Sequence, residues 1–264
     1  MKKFLSFLIC IFLSFGAVSL CACGGNGGGS QSTPDKEPET EAWKKDNALK
    51  VLTIGNSFSD DTMEYVYFIA KDLGIENVFL GNLYIGGCTL ATHAANAKKN
   101  MPMYEYRTND SGVWNTERVY PIKRALLSQN WDFVSLQQAS GSSGMQDTYG
   151  DLAYLINYVK TYAPSAEIVW NMTWAYEQTS SHGEFVKYEN SQEKMYNCIV
   201  SAVKNCVLTQ SSVKKVIPCG TAIQNARTSY VGDRLTRDGY HLTLDLGRYI
   251  AGLTLVETLT GMPV

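Results

Sequence analysis

An aspartate and a histidine lie three residues apart near the end of the chain, in the run Asp238-Gly239-Tyr240-His241. In a turn, this spacing can place the carboxylate beside the imidazole and hold the ring in one tautomer and orientation. His241 could then take a proton from a serine hydroxyl. The chain has three histidines, and neither His93 nor His182 has a comparable neighbour at short spacing. By itself the pattern is common, and it is more often a helix cap or a surface turn than a catalytic pair.

A serine that could supply this proton follows the first apolar run of the domain, in Gly55-Asn56-Ser57-Phe58-Ser59. Residues 49–54 predict a buried strand, and Asp60 can begin a helix. Ser57 is therefore predicted to lie where the strand turns into the helix, with its N–H and hydroxyl at the positive end of the helix dipole. This position favours Ser57 as a nucleophile, although the same polar run could simply end a strand and cap a helix.

The elements that must position these residues alternate between strand and helix. Because parallel strands need a crossover connection, this order predicts an α/β fold: a three-layer α/β/α sandwich around a five-stranded parallel sheet. The strands are expected at 49–54, 77–83, 131–136, 167–172 and 213–219. The helices are expected after residue 60 and at 90–98, 116 or 117–128, 147 or 150–162, 184–206 and 244–259. Residues 101–116 fit no helix and predict an excursion or a small hairpin near the sheet.

Ligands of parallel sheets gather at the carboxyl ends of the strands, where two more runs are predicted to lie. Gly86-Gly87-Cys88 follows the second predicted strand, and Gln137-Gln138-Ala139-Ser140 follows the third. The serine run follows the first, and the Asp-His pair comes shortly before the last predicted helix. The sequence thus predicts that these runs meet at one edge of the sheet.

Together these runs resemble the SGNH or GDSL-type hydrolase superfamily. The resemblance is strongest to a little-characterised bacterial subgroup with Gly-Asn-Ser-Phe-Ser, Gly-Gly-Cys-x-Leu and Leu-Gln-Gln-Ala-Ser runs, and it covers about residues 49–264. It implies that Ser57 is the nucleophile, that His241 is the general base and acid, and that Asp238 orients the imidazole. Asn56 replaces the family's usual aspartate, at a position that is not one of the chemical groups.

The resemblance also implies an oxyanion hole formed by the backbone N–H groups of Ser57 and Gly87, with Gly86 as the alternative glycine. The family's third block, Gly-x-Asn-Asp, is missing, and two glutamines stand at the end of the corresponding strand. A glutamine amide can donate to an oxyanion as an asparagine amide does, but it is one methylene longer. We expect Gln138 to be the third donor, with Gln137 as the alternative.

A nucleophile, a base and oxyanion donors define acyl transfer, so the expected reaction is ester hydrolysis. Trp174 and Tyr240 are expected in loops or near strand ends, and His93 follows the Gly86-Gly87 turn; we interpret all three as candidate substrate contacts. The family resemblance and a cell-surface location favour an O-acetylated carbohydrate as the substrate. Two alternatives stay open: a carbohydrate-binding surface lipoprotein without useful catalysis, and a lipase or thioesterase for longer acyl chains.

The amino-terminal segment indicates export from the cytoplasm. Two lysines and an apolar run precede Leu20-Cys21-Ala22-Cys23, which resembles a bacterial lipobox. We therefore expect a lipoprotein signal peptide at 1–22 and lipidation of Cys23, which would anchor the protein to the membrane. The alternative is an ordinary secretory signal. Residues 23–48, rich in Gly, Ser and Pro, predict a flexible tether before the hydrolase-like domain at 49–264.

The composition excludes several classes of function. The chain has 264 residues and a formal net charge of -2, which suit one domain with short appendages. Its lysines and arginines form no cluster beyond adjacent pairs, so nucleic acid is not an expected partner. We interpret the four cysteines of the domain as small buried hydrophobic residues rather than as a disulfide framework. No cofactor or metal is expected, since Asp60 and Asp61 are explained as acids favoured at the start of a helix.

Overall fold

A seven-stranded sheet forms the centre of the protein in the computed structural model, which describes residues 46–264. The strands are β1 (Ala48–Gly55), β2 (Asn77–Tyr84), β3 (Tyr104–Asn109), β4 (Asn115–Tyr120), β5 (Phe133–Leu136), β6 (Glu167–Asn171) and β7 (Val213–Ile217). Their order across the sheet is β4-β3-β2-β1-β5-β6-β7. Helices flank this sheet, so the predicted α/β architecture is confirmed.

The helices form two packed groups. They are α1 (Ser57–Met63), α2 (Val66–Asp72), α3 (Leu90–Lys99), α4 (Ile122–Leu126), α5 (Leu152–Tyr162), α6 (Gln192–Ala202), α7 (Cys219–Arg227) and α8 (Leu246–Thr260). Helix α8 packs against α1, α2 and α7, whereas α3, α4 and α5 pack against one another. Strands β1 and β5, at the centre, are buried along almost their whole length, as expected of parallel strands covered on both sides.

The prediction of five strands was wrong by two. Strands β1, β2, β5, β6 and β7 pair in parallel and match the five predicted runs. Strands β3 and β4 are antiparallel and extend the sheet beyond β2. The hairpin expected at 101–116 is therefore part of the sheet itself and reaches residue 120.

This hairpin also corrects the helix predicted from residue 116 or 117. Strand β4 occupies 115–120, and α4 begins only at Ile122, directly after Pro121. Proline lacks a backbone N–H and has a fixed φ, so it suits the beginning of a helix better than its interior.

The long helix predicted at 184–206 is broken into two pieces. A 3-10 helix, Gly183–Tyr188, is followed by Glu189 and Asn190 with φ of 56° and 52°, a left-handed conformation that ends a helix. Helix α6 then begins after Ser191, whose hydroxyl accepts a hydrogen bond from the N–H of Lys194, and it continues as a π-helical turn at Val203–Val207. The left-handed residues thus end the first helix, and the Ser191 cap begins the second.

Helix α7 was not predicted from the sequence. Its second residue is Gly220, which packs so closely on β6's following loop that a Cβ would lie 2.2 Å from the carbonyl oxygen of Thr173. The close contact explains a residue of poor helix propensity in a helix of nine residues.

Several predictions concern residues that the structure does not describe. The signal peptide at 1–22, Cys23 and residues 23–45 of the tether lie outside the described residues. Between residues 46 and 264, no helix has both the length and the apolar character that crossing a membrane requires. The four cysteines of this range are free; Cys88 and Cys219 are buried, and the other two are half-buried.

Candidate active site

The structure brings Ser57, His241 and Asp238 into one hydrogen-bonded chain. The Oγ of Ser57 lies 2.7 Å from the Nε2 of His241, and the Nδ1 of the same ring lies 2.7 Å from an Oδ2 of Asp238. The other carboxylate oxygen of Asp238 accepts a hydrogen bond of 2.8 Å from the backbone N–H of His241. With a proton on Nδ1, the ring donates to the carboxylate and leaves Nε2 free to accept from the serine hydroxyl.

The charge of Asp238 is maintained by this arrangement. Partial burial acts to raise the pKa of the carboxyl, but the hydrogen bonds from the ring and the N–H of His241 outweigh it and hold the pKa below its ordinary value. Asp238 is therefore ionised at neutral pH, and a carboxylate in this position can stabilise a positive charge on the imidazole of His241.

Ser57 is positioned by its neighbour in the sequence. Asn56 is the N-cap of α1, and its Oδ1 accepts a hydrogen bond of 3.0 Å from the N–H of Phe58. Ser57 is therefore the first residue of the helix, where a backbone N–H has no partner within the helix. Its N–H and its hydroxyl both belong to the turn that leads out of β1.

The loop that carries the Asp-His pair, residues 236–242, is closed on itself. A bridge joins Thr236 to Leu242, and the N–H of Arg237 donates to the carbonyl of His241 at 2.9 Å. Gly239 has a φ of +90°, and a Cβ there would lie 2.9 Å from the Oγ of Ser180. The turn between Asp238 and His241 thus requires glycine both for its backbone conformation and for its packing. We call residues 236–242 the Asp-His loop.

The loop after β6 supports the Asp-His loop from the side. The N–H of Glu177 donates to the carbonyl of Gly239 at 2.8 Å, and the Nε1 of Trp174 donates to the carbonyl of Tyr240 at 2.8 Å. Trp174 is fully buried and its ring stacks on Phe58 at 4.4 Å. The interpretation of Trp174 as a substrate contact is therefore wrong, because its side chain is buried between helix α1 and the Asp-His loop and joins them.

A buried aspartate, Asp61, connects helix α1 to the Asp-His loop. Asp61 lies one helical turn after Ser57 and is fully buried. One of its oxygens accepts from the N–H of Leu242 at 2.8 Å, and the other accepts from Arg237 Nη1 at 3.0 Å and Arg248 Nε at 2.8 Å. Sequence reasoning explained Asp61 only as a helix acid, although its spacing from Ser57 places it on the same side of α1.

The glycine turn after β2 is held by Asn56. Gly86 and Gly87 are exposed, and Gly87 has a φ of +63° with no atom near the position of a Cβ. The Nδ2 of Asn56 donates to the carbonyl of Cys88 at 3.1 Å. Asn56, the residue before the predicted nucleophile, therefore holds the end of the turn that carries the predicted oxyanion donors.

Both glutamines of the third run have side chains engaged inside the protein. The Nε2 of Gln138 donates to the carbonyl and the hydroxyl of Thr148, each at 3.0 Å, and its Oε1 accepts from Leu90 N–H. The expectation that Gln138 donates to an oxyanion is therefore not supported, because Thr148 uses its amide. Gln137 instead donates to Asn56 Oδ1 at 2.9 Å and accepts from Asn171 Nδ2 at 3.0 Å. It is part of the support of the serine turn.

Asn56 must therefore act as donor and acceptor at once, and we expect Asn56→Asp to destabilise the fold. A carboxylate accepts hydrogen bonds from Phe58 and Gln137 as the amide does, but it cannot donate one to the carbonyl of Cys88. One carboxylate oxygen would instead lie against the carbonyl oxygen of Cys88, which is also negatively polarised. The expected loss is about 1–3 kcal/mol in the free energy of unfolding at pH 7. Urea denaturation measures it, with the exposed Asn157→Asp on α5 as the matched control.

The pH dependence gives this prediction a second test. Burial raises the pKa of a carboxyl at position 56 above its unfolded value of about 4, so the penalty is present above the folded pKa and shrinks when the acid is protonated. The difference between wild type and Asn56→Asp should be smaller at acidic pH than at pH 7. The role given to Asn56 would be contradicted if wild type and Asn56→Asp differed in stability by the same amount at both pH values. A loss of stability no larger than that of Asn157→Asp would contradict it as well.

His93 lies away from the site surface. It is buried, with its Nδ1 2.8 Å from the hydroxyl of Tyr104 and 3.4 Å from the Sγ of Cys88, and burial lowers its pKa to about 3. The interpretation of His93 as a substrate contact is therefore wrong, since the ring is a neutral part of the packing behind the glycine turn. Tyr240, the third candidate, is half-buried, and its ring centroid lies 4.1 Å from that of His241.

The side chains of residues 46–264 include no group of three or more His, Cys, Asp or Glu that could hold a metal ion. The chemistry at this edge of the sheet is that of a serine, an imidazole and a carboxylate in sequence, with backbone N–H groups beside the serine. That arrangement can transfer an acyl group from an ester to the serine oxygen.

Residues 50–264 match a family described as Domain of unknown function (DUF4886). The chain belongs to the DUF4886 family. A crystal structure of a DUF4886 family protein from Bacteroides uniformis is 43% identical and has a TM-score of 0.79, with 81% of this chain and 84% of that chain covered. None of the curated proteins matches the sequence.

More distant structures share the fold of this DUF4886 protein. A candidate SGNH hydrolase from Slackia heliotrinireducens is 21% identical with a TM-score of 0.52, and 80% of this chain and 99% of that chain are covered. A candidate GDSL-like lipase from Parabacteroides merdae is 16% identical with a TM-score of 0.51, and 83% and 97% are covered. The DUF4886 chain therefore has the fold of the SGNH hydrolases, as its sequence runs predict.

Proposed function

We propose that this DUF4886 protein is a serine ester hydrolase that works through an acyl-enzyme. The observation that carries the proposal is the chain from Ser57 Oγ to His241 Nε2 and from His241 Nδ1 to Asp238, with both distances at 2.7 Å. These lengths are within the hydrogen-bonding range that joins a nucleophile to its base and the base to its orienting group. The position of Ser57 adds support, because it directly follows β1 and so lies at the carboxyl end of a parallel strand, where ligands of such sheets bind.

The proposed reaction has two halves. In the first, Ser57 Oγ attacks the ester carbonyl while His241 takes the hydroxyl proton, and the oxyanion accepts hydrogen bonds from the N–H groups of Ser57 and Gly87. His241 then gives the proton to the alcohol oxygen as the bond to the acyl carbon breaks. In the second half, His241 takes a proton from water as the water oxygen attacks the acyl carbon. It then gives that proton to Ser57 Oγ as the bond between this oxygen and the acyl carbon breaks, which releases the acid and restores the serine.

For the substrate, we propose an O-acetyl ester of a carbohydrate. The expected export of the protein and lipidation at Cys23 would place it at the outer surface of the bacterial membrane, where acylated glycans are accessible substrates. The half-buried ring of Tyr240 beside His241 offers an aromatic surface of the kind that packs against a sugar ring.

The test combines acyl-chain preference with covalent labelling. The purified chain is assayed with p-nitrophenyl acetate, butyrate and octanoate, and separately with a fluorophosphonate probe that reacts with activated serines. We expect the highest kcat/KM with acetate and labelling that is lost in Ser57→Ala. If the protein shows no turnover and no labelling, a carbohydrate-binding protein without catalysis is favoured. A preference for octanoate would favour a lipase or thioesterase.

A further inference from the structure

The side of the site that receives the leaving alcohol is defined by His241. In the proposed reaction the imidazole gives its proton to the alcohol oxygen, so the alcohol lies against Nε2 and against whatever flanks that ring. Two aromatic rings contact His241: Tyr240, with its centroid 4.1 Å from that of the imidazole, and Phe58 at 5.8 Å, which is buried. Tyr240 is therefore the flanking ring that a ligand can reach. The backbone of Tyr240 is held on both sides, because its N–H donates to Asp238 at 3.3 Å and its carbonyl accepts from Trp174 at 2.8 Å. The ring of Tyr240 also contacts that of Tyr176, with centroids 5.6 Å apart, so both its backbone and its ring are held beside His241.

A second ring continues this surface from the loop after β6. His182 contacts Tyr240 edge to face, with centroids 4.5 Å apart, and contacts Tyr176 at 4.9 Å. Tyr176 is fully buried, and its hydroxyl lies 2.9 Å from the hydroxyl of Ser140 in the loop after β5. We call Tyr176, His182 and Tyr240 the aromatic wall. Three separate loops thus fix its position relative to the predicted catalytic base.

The wall carries a hydrogen-bond donor whose direction is chemically determined. The Nδ1 of His182 accepts a hydrogen bond of 3.2 Å from the N–H of Glu184, so the neutral ring must carry its proton on Nε2. Within the described part of the chain, this Nε2–H makes no hydrogen bond to another residue. His182 is half-buried, so the donor is accessible to a ligand. An accessible N–H next to an aromatic ring matches a molecule with hydroxyl oxygens on an apolar ring framework.

We infer that the two accessible side chains of the aromatic wall, Tyr240 and His182, bind the leaving alcohol, with the buried Tyr176 supporting them from behind, and that His182 selects a neutral hydroxylated ring, such as a pyranoside, over an apolar alcohol of the same size. Tyr240 packs against the C–H groups of the sugar, and the Nε2–H of His182 donates to one of its hydroxyl oxygens. This inference rests on the proposed ester hydrolysis, and it assigns His182 a specificity role beyond that reaction.

Two acetates with matched alcohols test the inference. One is a monoacetylated methyl glucopyranoside and the other is cyclohexyl acetate, which keeps the six-membered ring without hydroxyls. The variant His182→Phe keeps the aromatic ring and removes the donor, and it should lower the ratio of the two kcat/KM values, sugar over cyclohexyl, about tenfold. The loss should appear mainly as a higher KM for the sugar ester, because the hydrogen bond is made in the bound ground state as well. His182→Gln, which retains an amide donor, should give a ratio between those of wild type and His182→Phe.

The control is Ser181→Ala, at the exposed residue before His182, which removes a hydroxyl and leaves the aromatic wall unchanged in composition; both kcat/KM values should stay unchanged. The inference is overturned if wild type hydrolyses both acetates and His182→Phe leaves their ratio within twofold or so of the wild-type ratio. If wild type hydrolyses neither acetate and the serine probe does not label Ser57, the proposed ester hydrolysis fails and the inference falls with it. The two failures are thus distinct in the wild-type measurement alone.

Discussion

Replacing His241 by alanine is expected to lower kcat/KM for p-nitrophenyl acetate by about 10⁴-fold while the protein stays folded. The imidazole is the only group within hydrogen-bonding distance of Ser57 Oγ among the contacts of the described residues, at 2.7 Å. Without it, the hydroxyl proton has no acceptor and the serine is a poor nucleophile at neutral pH. The Asp-His loop should keep its shape, since its closing contacts involve the backbone and the bridge between Thr236 and Leu242.

A double substitution separates this role from general damage. If Ser57 and His241 act as one unit, Ser57→Ala with His241→Ala should be no less active than either single variant. Thermal unfolding should show similar midpoints for all three, because the backbone contacts that close the Asp-His loop are kept in each variant. A His241→Ala enzyme within about tenfold of the wild-type kcat/KM would contradict the assignment of His241 as the base.

The sequence was sufficient to place the predicted catalytic residues because their positions follow from topology. Parallel strands end at the same edge of a sheet, so the runs after β1 and β2 must lie near each other once the strands are recognised. The pairing of Asp238 with His241 is local in sequence and needs only a tight turn, which Gly239 provides with its φ of +90°. Neither inference depends on knowing how individual side chains pack.

Side-chain direction at the end of a strand could not be predicted in the same way. Gln137 and Gln138 are adjacent, and successive residues leave an extended strand on opposite sides, so a choice between them needs the tertiary structure. The same limit applies to His93 and Trp174. Both side chains are buried in the protein, and the sequence does not show whether a side chain near a strand end faces the interior or the surface. Strand β4 was missed because five of its six residues are exposed and give no alternation of buried and exposed positions.

The fixed separation of Ser57 and His241 has a specific source in Asp61, and Asp61→Asn is expected to lower the free energy of unfolding by about 3 kcal/mol. The carboxylate is fully buried and is shared by two arginines and one backbone N–H, from Arg237, Arg248 and Leu242. An amide removes the negative charge and leaves the two guanidinium groups facing each other. Both arginine side chains keep some contact with water, which places the expected loss at the low end for a broken buried ion pair.

The same substitution should lower kcat by about 10-fold to 100-fold and change KM less. His241 directly precedes Leu242, so a displacement of the loop at Leu242 changes the distance between His241 and Ser57. Asp72→Asn, at an exposed position of α2, is the matched control and should change neither stability nor kcat. Urea denaturation and steady-state kinetics at a temperature where Asp61→Asn remains folded measure the two effects separately. A folded Asp61→Asn protein with wild-type kcat would show that the loop keeps its place without the carboxylate, and the positioning role would then pass to the contacts of Trp174 and Glu177 with the Asp-His loop.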